Sequence, residues 1–143
     1  MPCSRQIEAE ARQLGIPLTT LIVAQASRRE IIIVDETKLV PALGTGWAIP
    51  IEVIPFGWGS QAAFLESLGG RPVRRSGEGG QPFLTDQGNY ILDTDFGPIA
   101  EPAGLAHKLN ERVGIVEHGL FLGLVHDVIM AGQEGIRHLR RGE

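Results

Sequence analysis

The chain has one cysteine, two lysines, no basic run and no long apolar stretch, and each shortage excludes something. Cys3 is the single cysteine in 143 residues, which rules out an intramolecular disulfide. No charged n-region followed by an apolar h-region marks a signal peptide, so a reducing, cytoplasmic setting is expected. A formal charge of −4 and a pI near 5.6 remove the electrostatic footprint that nucleic acid or an anionic membrane would require, and neither is an expected partner. Glycine, proline or a charge interrupts every apolar run well short of the roughly 20 residues that span a bilayer.

What is there suits a soluble globular core: 43% hydrophobic residues, in a length fit for one ordinary domain or two small ones. Ser4 can cap a helix carrying Ile7, Ala11 and Leu14 at helical spacing, closed by Gly15 and Pro17. Ile22 to Arg29 leaves room for about two helical turns. Ile31 to Val34, a β-branched run without polar alternation, predicts a strand covered on both faces.

From residue 49 the pattern sharpens. Ile49, Ile51 and Val53 alternate with Pro50 and Glu52, as in a strand whose two prolines either put it at an edge or limit its length. Ser60 is placed to cap a helix running to Leu68 and closed by Gly69-Gly70. "RPVRR" then predicts a strand, and "SGEGGQP" (76–82) a loop. Phe83 to Thr85 and Tyr90 to Thr94 flank the turn cluster Asp86-Gln87-Gly88-Asn89, a hairpin signal. Pro102 opens a helix with the stripe Leu105, Leu109 and Val113, and Ile115 to Leu122 follows as a strand. The order is β-α-β-β-α-β, the ferredoxin-like split βαβ arrangement. The tail reads as a strand from Val125 to Ala131, a turn, and a pairing strand from Ile136 to Leu139.

Few residues carry chemistry. "GTGW" (44–47) has the glycines of a phosphate loop but leads into a strand rather than a helix, so a turn is expected, and "SGEGGQP" also lacks a following helix. His107, His118, His126 and His138 have no close-spaced ligand neighbours and are read as ordinary surface or partly buried side chains, not a metal site. Cys3 is expected to be an exposed thiol. "RHLRR" is short and balanced by Glu134 and Glu143, which reads as a solvated edge. Asp35, Glu36 and Lys38 differ: they follow directly on a strand, and ligand sites in open α/β sheets lie beyond strand C-termini. A solvated loop is the alternative.

Taken in order, "GIPLTTL", "IIIVDETKLV", "IPIEVIPF", "LGGRPVRR", "LTDQGNYILD", "GIVEHGLF" and "DVIMAG" resemble the type A ribose-5-phosphate isomerase family over nearly the whole chain. The resemblance implies an α/β fold in two parts. Residues 1–48 and 123–143 would form a partial, truncated Rossmann-like main domain to which the C-terminal strands return, and residues 49–122 a ferredoxin-like small domain. It implies interconversion of ribose 5-phosphate and ribulose 5-phosphate in the pentose phosphate pathway, without metal or other cofactor. A carboxylate would move a proton between C1 and C2, while a lysine and acidic groups handle the enediolate oxygens. The family's phosphate loop, Asp-Gly-Ala-Asp segment, Lys-Gly-Gly-Gly stretch and following Glu do not occur in this sequence, which joins "PLTTL" directly to "IVAQASRRE". No catalytic residue is therefore carried over, and Lys38 alone matches a substrate-binding position; Lys108 does not.

Three expectations follow. The chain is a weak or inactive isomerase by itself, with ribose 5-phosphate as its ligand. Otherwise it is a non-catalytic ferredoxin-like module for binding or oligomerisation. In either case the first 43 residues are the less stable part, and Ile31 to Val34 is an uncovered edge that a second copy or a full-length relative would cover.

Overall fold

The computed structural model describes residues 18 to 141; Cys3 and the helix expected from Ser4 lie outside them. Two sheets organise the chain. The first holds strand β1 (Ile31–Asp35), which helix α1 (Leu18–Ala26) precedes in the chain, and, from the other end of the sequence, β6 (Asp127–Gly132) and β7 (Gly135–Arg140), in the order β1-β6-β7. The second is built from β2 (Ile49–Val53), α2 (Trp58–Ser67), β3 (Arg71–Arg74), β4 (Tyr90–Asp95), α3 (Pro102–Asn110) and β5 (Ile115–His118). Its strand order, β3-β4-β2-β5 with antiparallel neighbours throughout, is that of the split βαβ arrangement. Among the described residues no helix is long and apolar enough to cross a membrane.

The larger core lies between the four-stranded sheet and its two helices. Alternation along β2 sends Ile49, Ile51 and Val53 to one face, where all three are fully buried with Leu92, Leu65 and Leu109. Pro102 occupies the first turn of α3, where its missing N–H leaves nothing unpaired. Ala106 and Leu109 form the buried side of that helix; Val113, expected to extend the stripe, lies past the helix end and is exposed.

Pro50 does not put β2 at an edge, because β2 is paired on both sides. Its ladder with β5 starts at Ile51, and the Pro50 carbonyl accepts from Gly119 N–H at 2.9 Å just beyond β5, so the missing donor falls at the ladder's end. Gly119 makes the approach feasible: a Cβ there would lie 2.8 Å from the Pro50 ring. Helix α2 starts earlier than Ser60, at a left-handed Gly57 (φ +71°), since the preceding turn needs a positive φ that glycine adopts without strain. Ser60 instead accepts from Arg112 at 3.0 Å.

The predicted 83–94 hairpin is half right. The turn is present, with Thr85 N–H donating to the Asn89 carbonyl at 2.9 Å, but the strand paired with β4 on that side is β3. Glu52 explains the preference: this buried carboxylate on the sheet face opposite the helices accepts from the Thr85 hydroxyl (2.8 Å) and the Asn89 amide (2.9 Å), pinning the turn onto the sheet. Glu117 sits opposite Glu52 in the β2–β5 register, and burial, reinforced by the Glu52 charge, pushes its carboxyl above the ordinary range.

The three-stranded sheet is thinner. β1 and β6 run parallel, and the last two strands form the expected hairpin. Among the described residues its apolar cluster consists of Val125 and Val128 with Ile32, Val34 and Leu139. Cover on both faces of β1, expected from the unbroken β-branched run, is not found among the described residues: Ile31 is 48% and Ile33 74% exposed. Among the described residues β1 is an edge strand with apolar packing on one face.

Asp127 ties the three strands together. Its carboxylate is nearly buried and receives two hydrogen bonds from Arg29 (2.7 and 3.0 Å), one from His138 (2.7 Å) and a 3.4 Å approach from Arg140. The Arg29 hydrogen bond, opposed by desolvation and reinforced by His138 and by both neighbouring charges, holds the Asp127 carboxyl far below the usual carboxylate range. A depressed folded-state pKa means stability that is present above the unfolded value and lost as the pH falls through the folded one. Asp127→Asn is therefore expected to lower Tm at neutral pH, and the gap to wild type to shrink only below about pH 4. Thermal melts of both proteins across the acid range check this; a gap independent of pH would contradict it.

Candidate functional site

The C-terminal ends of the parallel pair β1 and β6 place Asp35 beside Ala131, and the chain then turns through Glu36–Lys38 in a single 3-10 turn. Asp35 builds that turn. Its Oδ1 accepts from the Thr37 N–H at 2.9 Å and from the Thr37 hydroxyl, so the carboxylate caps the turn as a helix N-cap does. Those hydrogen bonds, with a smaller contribution from the Lys38 charge, pull the Asp35 carboxyl below its ordinary range. Glu36 Oε2 accepts from the Gln133 N–H at 3.3 Å, in the β6–β7 turn. Gly132 leaves room for it, since a Cβ there would come within 2.2 Å of the same oxygen.

Lys38 ends the turn with its ammonium 5.5 Å from the centre of the Trp47 ring, within cation–π range. Trp47 comes from "GTGW", and the two glycines carry the loop. Gly44 has φ +81°, and a Cβ on it would strike the Gly97 carbonyl oxygen at 2.1 Å. Leu43, buried in the main core, accepts from Ile99 N–H at 2.7 Å and anchors the segment. The glycines thus serve a turn, as their context predicts, and the turn delivers an aromatic ring to the lysine. Sequence reasoning missed Trp47, whose only signal is an aromatic residue directly after a glycine turn.

The site gathers Asp35, Glu36, Lys38 and Trp47. A flexible ammonium beside an aromatic face suits a sugar phosphate, with the ring for the apolar side of the sugar and the charge for an oxyanion. The two carboxylates lower the local positive potential.

The other candidates lie elsewhere. Lys108 lines a separate cleft with Phe96, Pro98 and Glu101. His107 faces Glu111 at 3.4 Å on α3. His118 is buried; its Nδ1 accepts from the Leu120 N–H (3.2 Å) and its Nε2 meets the Asn110 carbonyl (3.0 Å), the pattern of a neutral core imidazole. His126 accepts from the Glu30 N–H at 3.0 Å, and His138 belongs to the Asp127 cluster. Among the described residues no three His, Cys, Asp or Glu side chains gather as a metal site would require.

Known proteins similar to the chain point one way. The family described as "Ribose 5-phosphate isomerase A (phosphoriboisomerase A)" matches residues 21–135. The ribose-5-phosphate isomerase A of Chloroflexus aurantiacus is 45% identical, over 97% of this chain and 72% of its own length. Two solved structures agree in fold. A D-ribose-5-phosphate isomerase in complex with phospho-erythronic acid superposes with a TM-score of 0.82 at 33% identity, over 85% of this chain and 54% of that one. The enzyme from Methanocaldococcus jannaschii gives 0.84 at 31%, over 95% and 63%. The chain thus spans between half and two thirds of these solved relatives. The Chloroflexus alignment runs over 173 positions against 143 residues, so at least 30 residues of that relative have no counterpart here. The family match begins at residue 21, where "PLTTL" meets "IVAQ".

Proposed function

Because the chain belongs to the ribose-5-phosphate isomerase A family, we propose that it binds ribose 5-phosphate at the end of β1 through Lys38 and has little or no isomerase activity by itself. The observation that carries this is the Asp35–Lys38 turn, which keeps a lysine at a strand C-terminus beside Trp47 while the segments bearing the family's base and oxyanion partners are absent from the sequence. A relative that holds phospho-erythronic acid supports a phosphorylated polyol acid or sugar as the ligand class. The proposed setting is the cytoplasm and the pentose phosphate pathway, as the family resemblance implies. The chain divides into a shortened Rossmann-like part, residues 1–48 and 123–143, and a ferredoxin-like part, residues 49–122.

A single ammonium near two carboxylates, with no loop of backbone donors beside it among the described residues, binds a phosphate weakly. Calorimetric titration is expected to give a dissociation constant of roughly millimolar size at low salt, weakening as salt rises. Lys38→Ala should abolish the heat and lower the thermal melt only slightly, because the cation–π contact of a half-buried turn lysine is worth about 0.5 to 1 kcal/mol. Equal affinity in the variant would return Lys38 to a solvated loop.

A second reading has its own observation. The four-stranded sheet and its helices are intact and hold the main core, as a non-catalytic ferredoxin-like module for binding or oligomerisation would need. β1, with its exposed isoleucines, is the edge that a second copy or a full-length relative would pair with. A defined oligomer without turnover supports this reading; a monomer that binds no sugar phosphate counts against it.

A further inference from the structure

Trp47 has a second neighbourhood. Besides meeting the Lys38 ammonium, it lines an open cleft of about 380 Å³ together with Thr45, Arg71, Asp95 and Pro98. That size suits a small ligand.

The cleft is held from two directions. The β3–β4 register sets Arg71 opposite Asp95, so both side chains leave the sheet on one face, and Nη2 of the arginine donates to Oδ2 of the carboxylate at 2.6 Å. The other carboxylate oxygen accepts from the Gly97 N–H at 2.8 Å, which fixes Asp95 in turn. The loop that carries Trp47 is tied to the same segment, since Ile99 N–H donates to the Leu43 carbonyl at 2.7 Å and Gly44 packs against the Gly97 carbonyl.

What this leaves over is hydrogen-bonding capacity without net charge. Arg71 and Asp95 are the charged residues of the lining and cancel each other. Among the described residues Nε and Nη1 of Arg71 and the Thr45 hydroxyl have no partner, and each Asp95 oxygen keeps a lone pair. A compact anion would meet the Asp95 charge as well as the arginine. Hydroxyl groups donate and accept at once, so a donor fork beside an acceptor carboxylate pairs with them in both senses, while an indole ring covers the C–H side of a sugar. We propose that this cleft holds the neutral, hydroxyl-bearing part of a sugar and extends the Lys38 site across Trp47, an extension that rests on the assignment of a sugar phosphate to Lys38. The phosphate then stays with the lysine, and the hydroxyl chain lies against Trp47, Arg71 and Asp95.

NMR titration of the full chain, following the Trp47 indole N–H, tests this with ribose, ribose 5-phosphate and inorganic phosphate as separate probes; the spectrum of Trp47→Phe identifies the signal. Ribose, which has no phosphate, is expected to shift that signal at concentrations on the order of tens of millimolar. Arg71→Gln should weaken both sugars roughly three- to tenfold and change phosphate binding less than about twofold. Arg71 lies on an edge strand with its side chain 80% exposed, so the variant keeps the fold. No shift with ribose overturns the proposal, as does wild-type affinity for ribose in Arg71→Gln, or loss of phosphate binding in that variant. A ribose shift that depends on Arg71 supports the cleft even if ribose 5-phosphate ignores Lys38, a result that would overturn the Lys38 reading alone.

Discussion

Purified chain given ribose 5-phosphate in a coupled assay of ribulose 5-phosphate formation is expected to turn over at least about 10⁴-fold more slowly than a full-length relative. The size follows from the missing chemistry. A positioned general base contributes roughly 10² to 10⁴, and a single oxyanion donor another 10² to 10³. Lys38 cannot supply both, because an ammonium that stabilises a developing oxyanion has no lone pair with which to take a proton from carbon. Of the two carboxylates in the same turn, Glu36 is held by the Gln133 N–H, while Asp35 is committed to Thr37 and sits below the ordinary carboxylate range, which weakens it as a base. Turnover within tenfold of a full-length enzyme, with host enzyme excluded, would show that this chain holds a base and donors not identified among the described residues.

The second large effect is on stability. Leu92→Ala is expected to destabilise the chain by about 2 to 5 kcal/mol, because Leu92 is fully buried between Ile51 and the helices and its removal leaves a cavity among side chains that cannot all move in. Ile33→Ala is expected to change stability by less than about 0.5 kcal/mol, since Ile33 is 74% exposed on an edge strand. Urea unfolding of both variants under identical conditions makes the comparison. A cost at Ile33 equal to that at Leu92 would mean that β1 is covered in solution, by a second copy or by part of the chain outside the described residues. Running the titration at several protein concentrations separates those two, because only association depends on concentration.

Local pattern carried most of the fold. The alternation of Ile49, Ile51 and Val53, Pro102 at a helix start, and the glycines closing α2 each state a local rule, and the elements formed where those rules put them. The failures came where a neighbour decided. Ile31 to Val34 has the composition of a doubly covered strand, but cover depends on how many layers exist around it, which four residues do not encode. Phe83 to Thr85 looked like a hairpin arm, yet β4 took β3 instead, and Glu52 from a third strand fixed the turn.

For the site, sequence alone determined that a lysine follows an acidic pair at a strand end, that two glycines precede a tryptophan, and that the family's catalytic segments are missing. These are properties of consecutive residues. Only the tertiary structure brought Trp47 over Lys38, seated Glu36 against the β6–β7 turn, and joined "SRRE" to "RHLRR" around Asp127. Each of those contacts spans residues that are distant in the chain, and their meeting depends on the parallel register of β1 with β6 and on the hairpin that follows. Charge in a sequence can be counted segment by segment, but its field depends on distance, and distance is set by the fold.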